Sequence, residues 1–359
     1  MNPCLLIGEA GVNHNGDEEL AFGLVEAAAR AGVDVVKFQT FKAEQLVTPD
    51  APKADYQVRN TGGGESQFSM LKRLELPEAL HHALKAEAER RGLEFLSTAF
   101  DHESLRFLVD DLGLSRLKLP SGELTNGPFL LEHARTSCSL IISTGMASLA
   151  EVENALGVVA FGRVAGAAEK PCPAAFAAAY ASREGQAALA HGVTLLHCTS
   201  DYPARPETVN LRAMDTLHAA FGLPVGYSDH TLGRSVALAA VARGARVIEK
   251  HFTLDRLLPG PDHAASLIPE ELARLVRDVR AIEVALGDGI KRPQPAELAT
   301  ARVARKSLVA REPIRAGDVF TRANLAVMRP GTGLSPMQWW ERLGQTARRD
   351  YALGEALDE

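Results

Sequence analysis

Apolar and polar positions along the chain fall into a repeating pattern. Eight short apolar runs occur at 4–10, 33–40, 93–100, 116–122, 139–146, 193–200, 224–230 and 246–253. Most lack the strict alternation of a half-exposed strand, as expected of parallel strands buried on both faces. Between most of them, apolar residues recur every three or four positions, the spacing of a helix packed on one side. The stretch 17–31 puts Leu20, Leu24, Val25 and Ala28 on one face. The stretch 77–91 has proline in its first turn and stops at Gly92. Ser148 and Glu151 have capping-box spacing. The stretch 269–286 carries Leu272, Leu275, Val276, Val279 and Ile282, then ends at Gly287. Eight strand–helix units predict a TIM (β/α)8 barrel. A doubly wound sheet is the alternative, but the glycine-rich dinucleotide loop it would carry is missing.

The last unit, 224–253, has the sharpest pattern. A strand ends in Ser228, Asp229 and His230; Leu232, Val236, Leu238, Ala239 and Val241 then take helical spacing as far as Gly244. A second strand ends in Glu249, Lys250 and His251. A strand–helix–strand unit sets two strands parallel with their carboxyl ends at one rim. His230 and His251 should therefore emerge side by side. Two imidazoles with carboxylates nearby suit a divalent transition metal with open positions. The alternative is that one caps a helix and the other fills the barrel.

Two connections are longer than a barrel needs. Residues 41–72 contain KADYQVRN and GGGESQ and read as a lid or wall of the mouth. Residues 162–191, rich in Ala, Pro and Gly, read as a surface insertion. Domain boundaries follow from the same pattern: a barrel over 1–287, a polar linker with prolines over 288–301, and a small unit of short strands and glycine turns over 302–359.

Composition narrows the function classes. With 359 residues, 46% hydrophobic and 23% charged, the chain reads as a soluble globular protein. A net charge of −6 gives no reason to expect nucleic acid, so an anionic ligand must be met by locally placed Lys and Arg. The four cysteines, Cys4, Cys138, Cys172 and Cys198, include no close pair. Neither zinc nor a disulfide framework is indicated, and the cytoplasm is the default compartment. The start, MNPCLLIGEAG, lacks a basic n-region and a signal-length apolar run, and no stretch reaches membrane-span length.

Barrel chemistry sits at the carboxyl ends of the strands. Those ends read Glu9; Lys37 and Gln39; Ser97 and Thr98; Lys118, Ser121 and Glu123; Ser143 and Thr144; Thr199, Ser200 and Tyr202; then the two histidine clusters. Helix capping explains part of the hydroxyl recurrence. Hydroxyls converging on one mouth with Lys37 and Lys118 also describe a cradle for phosphate or carboxylate.

In order, EAGVNHNG, VKFQTFKA, STAFD, KLPSGE, ISTGM, LLHCTSDYP, GYSDHT and IEKHFTLD with GPDH resemble the sialic acid (nonulosonic acid) synthases. The unit from VARKSLVA through MRPGTG resembles their antifreeze-like (SAF) domain. The resemblance covers essentially the whole chain. It implies a TIM barrel joined to a small β-rich domain, and condensation of phosphoenolpyruvate with an N-acetylated hexosamine. By motif, His230 and His251 match the metal ligands, usually for manganese, with magnesium or cobalt as alternatives. Lys37, Thr98, Lys118, Ser121, Ser143 and Ser228 match phosphoenolpyruvate positions. Glu9, Gln39, Glu123, Tyr202 and Asp262 match positions that hold or activate the sugar, and Arg329 matches the arginine that reaches its N-acetyl group. Glu9 and Glu123 are the candidate acid or base. Two positions depart from the pattern: Ala99 stands where proline is usual, and Ser200 where some relatives have asparagine. His197 reads as a packed barrel residue.

The expected product is N-acetylneuraminate from N-acetylmannosamine. The alternative is legionaminate from a 2,4-diacetamido-2,4,6-trideoxyhexose, toward which AGVNHNGD and TSDYP with VNLRAM lean. The resemblance also implies a homodimer that exchanges its C-terminal units. Two readings of other kinds remain: a Schiff-base aldolase using Lys118 or Lys250, and a non-catalytic carbohydrate- or ice-binding protein.

Overall fold

The computed structural model describes residues 3–166 and 168–358. Met1 and Asn2 of the N-terminal stretch, Ala167 of the 162–191 insertion and Glu359 of the C-terminal unit lie outside the described residues. The chain divides into two compact units, 1–287 and 288–359.

In the first unit, eight parallel strands close a barrel in sequence order. They are β1 (Leu5–Gly11), β2 (Val35–Thr40), β3 (Glu94–Ala99), β4 (Arg116–Leu119), β5 (Ser139–Ser143), β6 (Val193–Cys198), β7 (Val225–Asp229) and β8 (Val247–His251). The apolar runs form strands because both faces are covered, by the barrel interior on one side and helices on the other. β1 closes the ring, pairing with β2 and β8. That register sets Glu9 beside Lys37 on one side and beside His251 on the other. Further round, Gln39 pairs with Thr98 and Thr98 with Lys118, and Ser228 pairs with Glu249.

The helices keep their sequence signals with some corrections. Helix Pro269–Leu286 buries Leu272, Leu275, Val276 and Val279 as expected. The Ser148–Glu151 capping box forms, Ser148 N donating to Glu151 Oε2 at 2.8 Å. After His230 the helix is shorter than its spacing predicts, Ser235–Ala242. Gly233, in the left-handed region at φ +71, turns the chain first. Leu232, expected on the apolar face, is 60% exposed. The run at 116–122 likewise stops at Leu119, and Pro120 leads into a 3-10 turn, Ser121–Glu123.

Both long connections are helical. The segment after β2 folds as helices Ala43–Leu46, Asp55–Thr61 and Gln67–Leu74. Val12, Phe41, Met70 and Leu74, with Leu46, Leu71 and Phe100, form a separate apolar cluster there. The 162–191 insertion holds helices Pro173–Ala181 and Arg183–Gly192. Phe176 packs on Phe161 of helix Leu149–Val164, with centroids 5.3 Å apart.

In the second unit, antiparallel β9 (Ser307–Ala310) and β10 (Leu325–Met328) pair over a core that includes Leu308, Ile314, Phe320, Leu325 and Tyr351. Residues 288–301, read as a linker, carry a 3-10 turn, Pro295–Glu297, and enter helix Leu298–Ala304.

Candidate active site

The carboxyl ends of β1–β8 surround a cavity of about 480 Å³. Glu9, Lys37, Gln39, Thr98, Lys118, Ser121, Glu123, Ser143, Tyr202, Ser228, His230, His251 and Asp262 all line it. Arg329 belongs to the second unit, where it is exposed and its Nε donates to Ala304 O at 2.9 Å.

Two lysines and two carboxylates form the floor. Lys37 Nζ lies 2.5 Å from Glu9 Oε2, donates to Thr98 Oγ1 at 3.0 Å and stands 3.7 Å from Glu249 Oε2. Gln39 Nε2 donates to Glu9 Oε1 at 3.3 Å. Lys118 Nζ stands 3.7 Å from Glu249 Oε1, which accepts from Ser228 Oγ at 3.1 Å. Burial drives the Glu9 carboxyl up to about 7 against the pull of Lys37. Burial pushes Glu249 the same way, but Lys118 and Lys37 outweigh it and hold that carboxyl down, to about 2. Lys118 is lowered by its own burial, which Glu249 offsets in part.

Part of the floor is left without hydrogen-bond partners. Among the described residues, Lys118 Nζ makes no hydrogen bond, and Ser143 Oγ is buried without one. Ser121 Oγ accepts from Gly145 N at 3.0 Å. A Cβ at Gly145 would come within 2.5 Å of Ser200 Oγ and 2.7 Å of Cys198 Sγ, so the backbone there can approach only as glycine. A buried ammonium and hydroxyl aimed into one cavity leave donors for an anion.

The histidines stand beside this floor, ring centroids 5.5 Å apart. His230 Nδ1 donates to Thr199 O at 2.7 Å, leaving Nε2 as the lone-pair nitrogen. His251 Nδ1 is buried without a hydrogen bond, 3.9 Å from Asp262 Oδ2. Burial holds His230 down at about 4 and, with His230 and Lys37 beside it, keeps His251 well below the usual range. Burial raises Asp262 to about 6. Two neutral imidazoles, one with its tautomer fixed by a carbonyl and one with an orphaned nitrogen, fit a divalent ion with open positions. Among the described residues no group of three or more His, Cys, Asp or Glu is arranged around a common ion position.

Other expected residues are engaged by neighbouring groups of the protein. His197 packs in the wall, its ring nitrogen 2.6 Å from Val209 O. Lys250 pairs with Asp229, and neither lines the cavity, which removes it as a Schiff-base lysine. Glu123 bonds its own turn, accepting from Asn126 Nδ2 at 2.7 Å.

Sequence reasoning gave no role to Glu249, which bridges both lysines. Its signal was present, since 249 and 251 share a face of β8 by the two-residue period. It also passed over Tyr56 and the apolar side of the cavity, where Phe41, Leu46, Val47, Met70, Leu71, Leu74 and Phe100 line the wall. Those residues belong mostly to the segment after β2, whose fold has no strand-end signal.

Comparison with known proteins gives matches over nearly the whole chain. Residues 24–291 match the NeuB family model and residues 305–358 the SAF domain model. The chain is 46% identical over 359 residues to the N,N'-diacetyllegionaminic acid synthase of Campylobacter jejuni, covering 100% of both chains. It is 46% identical over 354 residues to the synthase of the same name from Legionella pneumophila, covering 99% of this chain and 93% of that one. Among solved structures, the N-acetylneuraminic acid (sialic acid) synthetase of Leptospira borgpetersenii, in complex with citrate, aligns with a TM-score of 0.67 and 31% identity. That alignment covers 83% of this chain and 90% of the other.

Proposed function

We propose that this chain, which belongs to the NeuB family, is a nonulosonate synthase making N,N'-diacetyllegionaminate and phosphate. The substrates are phosphoenolpyruvate and 2,4-diacetamido-2,4,6-trideoxymannose. The observation that carries the reading is the two-sided cavity, with a lysine ammonium that makes no hydrogen bond and a buried unpartnered hydroxyl on its floor, and an apolar wall. The floor suits an anionic phosphoenol. The wall suits an acceptor whose acetyl and deoxy carbons are methyl groups, and it has little to offer the extra hydroxyls of N-acetylmannosamine. The two relatives at 46% identity carry the matching name. N-acetylmannosamine, the first expectation from sequence, therefore gives way to the alternative.

In this reading Lys118, Ser143 and Ser121 hold the phosphoenol, and its methylene carbon, C3, forms a bond to the acceptor aldehyde carbon, whose oxygen takes up a proton. Water adds at C2, the carbon that bears the phosphate, and gives up its protons as phosphate leaves by C2–oxygen cleavage and a ketone remains. Glu9, buried between Lys37 and Gln39, is placed to hold or release a proton at Oε2. Glu123 is engaged in its own turn and is the weaker candidate. His230 Nε2 and the His251 ring would hold a divalent ion, manganese by family resemblance. Such an ion supplies Lewis-acid polarisation of an aldehyde when bound. Preorganised charge on the floor should lower the barrier further. The proposal includes a homodimer in which the C-terminal unit of one protomer serves its partner, supported by the exposure of Arg329 and the polar, proline-containing stretch before its unit.

The deciding assay supplies phosphoenolpyruvate with either sugar, and follows phosphate release and product mass. Turnover should favour the trideoxy acceptor. A preference for N-acetylmannosamine would return the reading to N-acetylneuraminate, and phosphate release with neither sugar would overturn the synthase itself.

A further inference from the structure

The helix Asp55–Thr61 belongs to the segment after β2, yet it reaches the loops after β6 and β8. Asn60 Nδ2 donates to Pro261 O at 2.6 Å, next to Asp262. Arg59 stands 3.8 Å from Asp201. Tyr56 packs at a tilt against Tyr202 with ring centroids 4.8 Å apart, and Tyr202 stacks on His230 at 4.1 Å. A helix rooted on one side of the mouth thus touches the opposite side, and its aromatic contact leads to a candidate metal ligand.

The helix is internally fastened. Lys53 is buried, and its Nζ donates to Thr61 Oγ1 at 2.9 Å and Gly62 O at 3.1 Å, and pairs with Glu65 at 3.1 Å. Gln57 Oε1 accepts from Ala54 N at 3.0 Å and Gln67 Nε2 at 3.2 Å. Apolar attachment from outside is slight: Val58 is 42% exposed, and among the described residues the apolar cluster beneath the segment includes none from this helix. Tyr56 itself lines the cavity. Its ring therefore sits on a short, internally hydrogen-bonded helix with a second ring against it.

We propose that Tyr56 is a specificity-determining residue, the face on which the methyl-bearing edge of the acceptor packs. The inference rests on the proposed condensation and names what selects the sugar within it. A 2,4-diacetamido-2,4,6-trideoxy sugar has an acetamide at C4 and a methyl at C6. N-acetylmannosamine has hydroxyls there. A ring face gains from burying methyl groups and leaves a hydroxyl without a partner. Tyr56 thereby favours the first sugar over the second, with the Tyr202 ring lying against it at 4.8 Å.

The test compares wild type, Tyr56→Phe and Tyr56→Ala in steady-state phosphate release with each sugar. Tyr56→Ala should raise KM for the trideoxy sugar on the order of tenfold to a hundredfold, the scale of a lost apolar contact. The KM for phosphoenolpyruvate and kcat should stay within about twofold, as for loss of uniform sugar binding. The parameters for N-acetylmannosamine should move much less, so the preference between sugars collapses. Tyr56→Phe should keep it. Equal losses with both sugars, a loss confined to kcat, or a Phe variant as impaired as Ala would overturn the assignment. A wild type that releases phosphate with neither sugar would instead remove the condensation reading. Calorimetric titration of each sugar in the presence of phosphoenolpyruvate then decides: equal affinities for wild type and Tyr56→Ala overturn the role of Tyr56, and a selective loss of the trideoxy sugar upholds it.

Discussion

Lys250 Nζ lies 2.8 Å from Asp229 Oδ2, with side chains 1% and 0% exposed, and each residue immediately precedes one of the two histidines of the mouth. Asp229 and Lys250 are register partners across β7 and β8. By strand alternation they point away from the cavity while His230 and His251 point toward it. Asp229 Oδ1 also accepts from Thr231 N at 2.9 Å and Thr231 Oγ1 at 2.8 Å, and Lys250 Nζ donates to Thr231 O. The pair fastens the two strand ends at the point where the histidines leave them.

Breaking that pair on one side should cost more than removing it. Lys250→Met leaves a buried carboxylate without its cation, a loss of about 3–5 kcal/mol. The double variant Asp229→Leu with Lys250→Met should recover part of that stability. Urea unfolding of the single and double variants measures both. A double variant less stable than Lys250→Met would show that the pair is not acting as a buried ion pair.

The histidine assignment predicts that His251→Ala abolishes phosphate release and leaves the circular dichroism spectrum unchanged, since the residue sits at the functional rim and not in the packed lower barrel. Treatment of wild type with a chelator should stop turnover, and manganese should restore it. Full activity of the variant in metal-saturated buffer would remove His251 as a ligand.

Lys118 has no hydrogen bond of its own and faces the cavity. Lys118→Met should raise KM for phosphoenolpyruvate by roughly tenfold to a hundredfold, the scale of one charged hydrogen bond. The KM for sugar should change far less. A rise confined to the sugar would reassign the lysine.

Exchange of the C-terminal unit can be read by complementation. Arg329→Ala and His251→Ala are each expected to be inactive; they are unfolded and refolded together. Half of the dimers are mixed, and one of the two sites in each has both residues intact, so activity should return to about a quarter of wild type. Mixed dimers confirmed by mass but without activity would place Arg329 at its own barrel.

His133 predicts a pH dependence of stability away from the mouth. On helix Gly127–Arg135 its Nδ1 lies 3.0 Å from Phe129 O, its Nε2 is buried without a partner, and burial holds the ring down at about 4. The unfolded chain binds its proton near 6.5, the folded chain only near 4. The stabilisation is therefore complete above pH 6.5 and is lost as pH falls toward 4, a contribution of about 3 kcal/mol. Unfolding free energies of wild type should fall more steeply across that range than those of His133→Leu. Parallel curves would contradict the assignment.

The sequence by itself determined the barrel, because parallel strands covered on both faces must be short apolar runs and each must end in a polar residue where it meets the mouth. Glu9, Lys37, Lys118, His230 and His251 were legible for that reason, as residues at fixed positions on local elements. The two-residue period even placed Glu249 on the face of His251, although its role as partner to both lysines was not. That role depends on barrel closure, which brings β1 against β8 and sets Lys37, Lys118 and Glu249 within 3.7 Å contacts that no local spacing encodes. Burial of those charges then divided the carboxyls, raising Glu9 and leaving Glu249 ionised between two cations. The helix Asp55–Thr61 and its Tyr56–Tyr202 contact were likewise decided by tertiary structure. A polar, glycine-rich segment has no apolar period to announce a helix, and its partners lie on loops far along the chain.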